Sequence, residues 1–224
     1  MEVPPPSLRL SLDTSSPIVS VAVGRAGELL AATTLEQRRS SGELIDAVDG
    51  CLRRAGVTVA ELEELVVLRG PGSFTGLRIG LATAMGLHHA LGLRVAAPST
   101  FEVLARALPA DGRILALVHA LRDDWFAQLF AGVPPSPRSE PRRIARAELP
   151  TLEADRAVGF ELERLGADRE ALAAVEPPPL AEVATQLPAA ELTWDPEALR
   201  HPLYLAPPPT ARPQRPKSVL GEGP

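Results

Sequence analysis

The chain has 224 residues, a net charge of -5 and 45% hydrophobic content, enough for one or two domains with a sizeable core. The acidic balance excludes broad gripping of a nucleic-acid backbone, which needs a basic footprint, so any RNA role is expected to be indirect. No apolar run approaches the roughly 18 residues of a membrane span, the N-terminal MEVPPPSLRL lacks the regions of a secretion signal, and Cys51 has no second cysteine to pair with. A cytoplasmic protein without a membrane partner is expected.

In chain order, LRLSLDTSSPIVSVAVGRAGELLAATTLE alternates apolar and polar residues between turns at Thr14–Pro17 and GRAG, which predicts three antiparallel strands in a meander. Ser40 to Glu43 form a capping box ahead of Leu44, Ile45, Val48, Leu52 and Ala55 at helical spacing, with Arg53 and Arg54 near the C-terminal end and Gly56 as a stop. Cys51 is read as packing within that helix. A second capping box, Thr58 to Glu61, precedes a buried strand at Leu65 to Leu68.

The stretch RGPGSFTGLRIGLATAMG then runs from a glycine-rich turn into a helix. LRVAAP predicts a further strand, and Ser99 with Glu102 caps a helix through Leu108. The order to this point is βββαβαβα. RILALVHALRDDWFAQLFAG predicts a hairpin turning near Arg122 to Asp124, with Trp125 and Phe126 in the core. Two halves that each begin with a strand hairpin suggest divergent copies of one fold. Seventeen of the 24 prolines lie from Pro134 onward, so short elements are expected there and an extended or disordered tail beyond Ala206. Trp194 and Tyr204 are expected to anchor the C-terminal segment onto the second lobe.

Two features of the glycine-rich stretch bear on function. Gly70, Gly72, Ser73 and Thr75 would suit a phosphate held at a helix start. The glycines at 70, 72 and 76 are spaced one residue too long for GxGxxG, and no Lys-Ser or Lys-Thr pair follows. Gly76, Gly80 and Ala84 recur every four residues and so line one helix face. That stripe admits a close backbone, either the chain's own sheet or another subunit.

LSLDTSS near the N-terminus, RGPGSFTGLRIG at the fourth strand and APSTFEVLA after the fifth resemble the bacterial TsaB family, also called YeaZ, across residues 8 to 108. The resemblance implies an α/β actin-like ATPase fold (sugar kinase, actin, heat-shock chaperone ATPase) of two lobes with mixed sheets flanked by helices. The lobes would be residues 1–108, carrying the partner-binding helices, and a reduced 109–206, followed by a proline-rich tail at 207–224. It also implies a noncatalytic accessory subunit that supports TsaD in forming threonylcarbamoyladenosine next to the anticodon of tRNA. The implied partners are a TsaD-type catalytic subunit, a TsaE-type ATPase in the larger complex, a homodimer in their absence, and tRNA indirectly.

By that resemblance the contacting surface maps to helices at 41–55 and 75–91, with Leu44, Ile45, Val48, Gly76, Arg78, Gly80, Thr83 and Ala84 as partner-binding residues. Asp13, Thr14 and Ser15, with Gly70, Gly72 and Ser73, stand where active actin-like enzymes hold metal-bound phosphate. An aspartate there equally closes an Asx-turn. No cofactor is required by this reading, and no metal site is assigned.

Several departures speak against catalysis. The first long helix lacks the paired histidines of TsaD-type subunits, and adjacent His88 and His89 point about 100 degrees apart. His119 stands where the family usually has aspartate and is read as structural. Gly159 is the single glycine where a nucleotide lobe needs a richer loop. Arg138, Arg142, Arg143 and Arg146 are read as a solvated linker rather than a tRNA contact. The alternatives are an actin-like ATPase or small-molecule kinase using Asp13 and residues 70–75, and a peptidase, for which no HExxH or GxSxG is present.

Overall fold

A computed structural model describes residues 7–25, 27–36, 41–109 and 112–206. Ser40, which the sequence reading placed in a capping box, and the proline-rich tail at 207–224 lie outside the described residues. The first sheet contains β1 (Leu8–Asp13), β2 (Ile18–Arg25), β3 (Glu28–Glu36), β4 (Leu62–Val67) and β5 (Arg94–Ala96), in the order β3-β2-β1-β4-β5. The β1, β2 and β3 strands are antiparallel neighbours, and β4 and β5 extend β1 in parallel. Helices α1 (Ser41–Ala55), α2 (Phe74–Leu91) and α3 (Thr100–Arg106) complete the predicted βββαβαβα order.

The second sheet is built from β6 (Arg113–His119), β7 (Asp124–Ala131), β8 (Ser136–Pro137), β9 (Arg142–Ala145), β10 (Arg156–Gly159) and β11 (Ala174–Val175). It repeats the pattern of the first: an antiparallel β6–β7 hairpin leads, β8 and β9 add to β7, and β10 and β11 extend β6 in parallel. Two mixed sheets of one topology are the actin-like fold the sequence led us to expect, and they support the suspected internal duplication. Two short helices, α4 (Asp168–Ala171) and α5 (Leu180–Gln186), follow β10 and β11.

Strand alternation sorts side chains by layer. In the first sheet Leu10, Leu12, Val21, Val23, Leu65 and Val67 face α1 and α2, and meet Leu44, Val48, Cys51, Leu52, Leu81 and Ala84. The opposite face carries Val66 and Ala96 toward α3 and α5, which also receive Ile114, Phe126, Phe130 and Val158 of the second sheet. The two sheets therefore share one helical layer. Trp125 belongs to a third cluster with Leu115, Leu117 and Ile144 on the outer face of the second sheet.

The predicted strand at Leu65 begins earlier, at Leu62. Glu64 hides this from an apolar-run reading, because it is 3% exposed inside the strand. Its Oε2 accepts from Arg9 Nε, and Arg9 Nη2 also lies 2.9 Å from it. Arg9 Nη1 donates to the carbonyls of Ala184, Thr185 and Leu187 at 2.5 to 3.2 Å, so it satisfies acceptors that the end of α5 leaves open. Ser20 Oγ accepts from Ala181 N at 3.1 Å. Polar groups on β1, β2 and β4 thus bring the C-terminal segment back to the first sheet.

Trp194 and Tyr204, expected to anchor on the second lobe, pack against the core shared with that lobe and beside its Ala120 and Phe126, and also hold the first. The Trp194 ring lies under the Arg9 and Arg94 guanidinium groups, and Trp194 forms a bridge with Ala96 of β5. Tyr204 packs 5.0 Å from the Phe74 ring at the start of α2, and Leu203 N donates to Arg69 O. These residues are drawn to the first lobe because its sheet offers the cations and the free strand edge at β5. Among the described residues no helix is long and apolar enough to cross a membrane.

Removing one member of a buried ion pair leaves the other charge uncompensated, at about 3–5 kcal/mol. Arg94, 3.5 Å from Glu64 Oε1, softens that loss. Arg9→Met is expected to destabilise the fold by about 3 kcal/mol in urea denaturation, and Arg9→Met/Glu64→Leu to recover most of it. A loss below about 1 kcal/mol for the single variant contradicts this account.

Candidate functional site

The turn after β1 and the start of α2 are tied together. Ser73 N donates to Ser15 O at 2.8 Å, and Thr14 Oγ1 donates to Gly76 O at 2.7 Å. A Cβ at Gly76 would overlap the Thr14 carbonyl, and one at Gly80 would overlap Thr14 Oγ1. The small stripe is therefore filled by this chain's own β1–β2 turn. Ala84 is fully buried in the first core, with Leu44 and Val48.

This corrects five of the sequence-assigned partner residues. Leu44, Val48, Gly76, Gly80 and Ala84 face inward because the apolar side of an amphipathic helix covers its own sheet first. Ile45 is 49% exposed, Arg78 is exposed and Thr83 is half-buried. A second line at four-residue spacing, Arg78, Ala82 and Gly86, was missed and forms the outer face of α2. A Cβ at Gly86 meets nothing within 4 Å. Both lines have one period, so spacing alone gives no preference between them. Arg78 holds its guanidinium 3.9 Å over the Phe74 ring, which in turn packs on Tyr204.

The phosphate-cradle residues are also engaged within the chain. Ser73 caps α2, its Oγ accepting from Gly76 N at 3.2 Å. Gly72 has no room for a side chain against Ser15, and Gly70, at φ +99, abuts Leu203 O and Leu77. Asp13 closes an Asx-turn, its Oδ1 accepting from Ser15 N and Ser15 Oγ at 2.8 Å each. Its Oδ2 is buried with no hydrogen-bond partner. Among the described residues no Lys or Arg lines the cleft beside this turn, so the residues present do not fit a polyphosphate.

The cleft lies between the sheets and encloses about 250 Å³. Ser15, Ser73 and Thr100 come from the first lobe, and His119, Phe160 and Glu161 from the second. Glu161 and Thr100 were not singled out from the sequence: Thr100 stands within the APSTFEVLA segment, where it reads only as part of a helix start, and Glu161 has no motif around it. His119 has structural partners, as expected: Nε2 meets Arg122 O at 2.9 Å and its ring stands edge-on to Trp125. His88 and His89 lie 5.3 Å apart by ring centroid, with His88 Nδ1 on Leu93 O. Among the described residues no three His, Cys, Asp or Glu side chains are grouped to hold a metal ion. Gly159 lies against Leu117 of β6, and Arg146 reaches Leu165 O and Asp168.

Comparison with known proteins places this geometry. A family model described as TsaD, tRNA N6-adenosine threonylcarbamoyltransferase, matches residues 28–129. The chain is 32% identical over 124 residues to the tRNA threonylcarbamoyladenosine biosynthesis protein TsaB of Haemophilus influenzae, covering 54% of this chain and 52% of that protein. It is 33% identical over 114 residues to the TsaB of Escherichia coli, covering 50% of this chain and 49% of that one. The chain thus spans about half the length of the curated relatives it matches. The solved structure of YeaZ from Pseudomonas aeruginosa superposes with a TM-score of 0.70 at 23% identity, covering 89% of this chain and 100% of that one, and shows the same fold.

Two outcomes follow from the turn–helix contact. Gly76→Ala is expected to cost about 1–3 kcal/mol, because the obstructing atom is backbone and the helix must shift; an unchanged thermal midpoint contradicts this. Burial pushes the Asp13 carboxyl above its ordinary 3.8, with hydrogen bonds from Ser16 and Ser15 opposing. A carboxyl raised in the folded state contributes fully below the unfolded value and loses that contribution as pH rises through the folded value. Wild type is therefore expected to lose stability relative to Asp13→Asn as pH rises from about 4, read as urea midpoints along a pH series, where parallel profiles contradict it.

Proposed function

We propose that this chain, a member of the TsaB family, is an accessory subunit in the synthesis of threonylcarbamoyladenosine on tRNA, without catalysis of its own. It binds a TsaD-type catalytic subunit through the outer faces of α1 and α2, pairs with a second copy when that subunit is absent, meets a TsaE-type ATPase in the larger complex, and works in the cytoplasm. The relatives' names supply the pathway.

The observation that carries the binding reading is the outward line of Arg78, Ala82 and Gly86 on α2, together with exposed Ile45 on α1. Small residues along an exposed helix let a partner helix approach closely, and the flanking Ile79, Thr83 and Met85 are half-buried and ready to be covered. Gly86 makes no close contact within the chain to offset the roughly 1 kcal/mol that a mid-helix glycine costs. An intermolecular contact supplies that offset. Contact through the outer face of α2 uses none of the residues that line the cleft at that helix's start.

Ala82→Trp tests this, because an exposed position of this kind changes stability by less than about 0.5 kcal/mol. Size-exclusion chromatography with light scattering, on the variant mixed with the TsaD-type protein of the same source, is expected to show separate species where wild type forms a one-to-one complex. A complex of wild-type affinity, with the variant folded by circular dichroism, rules out α2 as the contact.

A further inference from the structure

The second-lobe wall of the cleft brings two acceptors face to face. His119 Nε2 lies 2.9 Å from the Arg122 carbonyl oxygen. A carbonyl only accepts, so Nε2 carries the proton, and in the neutral ring Nδ1 is a bare lone pair. That Nδ1 stands 3.6 Å from Glu161 Oε2, which is also an acceptor. Glu161 Oε1 accepts from Arg164 Nε and Nη2 at 3.1 and 3.0 Å, which fixes the carboxylate's orientation and leaves Oε2 toward His119.

On the opposite wall the Ser15 hydroxyl proton is committed within the chain. Ser15 Oγ gives its only proton to Asp13 Oδ1 at 2.8 Å. Thr100 Oγ1, 3.3 Å from Ser15 Oγ, is then the donor of that pair and turns its lone pairs elsewhere. Leu117, Phe126 and Phe160 give the cleft an apolar floor. Among the described residues three non-glycine residues have positive φ, and two of them, Arg122 at 62° and Glu161 at 55°, hold His119. Backbone strain of this kind persists where surrounding structure enforces a local geometry, and it gathers at ligand sites.

We propose that the cleft binds a small molecule with a protonated primary amine on a short apolar body. The ammonium N–H groups bridge His119 Nδ1 and Glu161 Oε2, the body lies on Phe126 and Phe160, and a hydroxyl or amide at the far end reaches Thr100. A phosphate would meet the Glu161 carboxylate with no cation lining the cavity to offset it. The site is separate from the outer faces of α1 and α2, so it stands or falls independently of the partner assignment.

The test uses the full chain labelled with 15N-histidine at mildly alkaline pH, with His119 signals identified by their loss in His119→Gln. The probes are 6-aminohexan-1-ol, hexane-1,6-diol and 6-hydroxyhexanoate, which share one carbon chain and differ in charge. The amine is expected to shift His119 Nδ1 saturably while the diol and the carboxylate leave it unmoved. Glu161→Gln is expected to weaken the amine at least about tenfold, and the spectrum of the remaining histidines reports whether that variant is folded. An equal response to the diol, a stronger one to the carboxylate, or a ring already protonated on both nitrogens and unmoved by the amine overturns the proposal.

Discussion

The contact of the β1–β2 turn with the first turns of α2 sets what the rest of the molecule can present. Thr14 enters the space left by Gly76 and Gly80 and bonds the helix backbone directly. That single seating fixes the rotation of an 18-residue helix about its axis. It buries Leu77, Leu81 and Ala84, and it turns Arg78, Ala82 and Gly86 outward. It also consumes the Ser73 amide and the space over Gly72, the features a phosphate loop would need. One packing contact therefore occupies the residues a nucleotide cradle would need and sets which face of α2 is exposed.

The buried polar face of the first sheet has a complementary effect at the other end of the chain. Arg9, Ser20 and Glu64 are costly to bury alone and are satisfied by α5 and by one another. Their satisfaction requires the C-terminal segment to return, so α3 and α5 become a layer common to both sheets. The lobes share a core instead of hinging about a bare linker. The wall of the cleft that carries His119 and Glu161 is thereby held against the wall that carries Ser15 and Thr100.

The two candidate surfaces divide the molecule's roles. The outer face of α2 carries the small Ala82 and Gly86 beside Arg78, and that of α1 carries Ile45 among Asp46, Asp49 and Arg53, a mixed surface of the kind a partner helix can cover. The cleft is concave, has the Phe126 and Phe160 rings in its wall and a few polar groups converging on it, as suits a small ligand. The start of α2 borders the cleft, and on that helix Arg78 stacks on Phe74, which in turn packs on Tyr204.

The sequence by itself determined the local elements, because their causes are local: the capping boxes at Thr58 and Ser99, the alternation of β1 to β3 and the hairpin at Arg122 to Asp124 all appear as read. The four-residue stripe on α2 was equally legible as a pattern. Which of its two small-residue lines faces inward was decided only when Thr14, 62 residues away, occupied one of them. The strand at Leu62 was obscured by Glu64, whose charge is tolerable only beside Arg9. His119 was visible as a lone histidine, but Arg122 and Glu161 became its partners through the pairing of β6 with β7 and β10. Local propensity carries no information about such contacts, since they follow from which buried polar groups and which missing side chains the tertiary packing brings together.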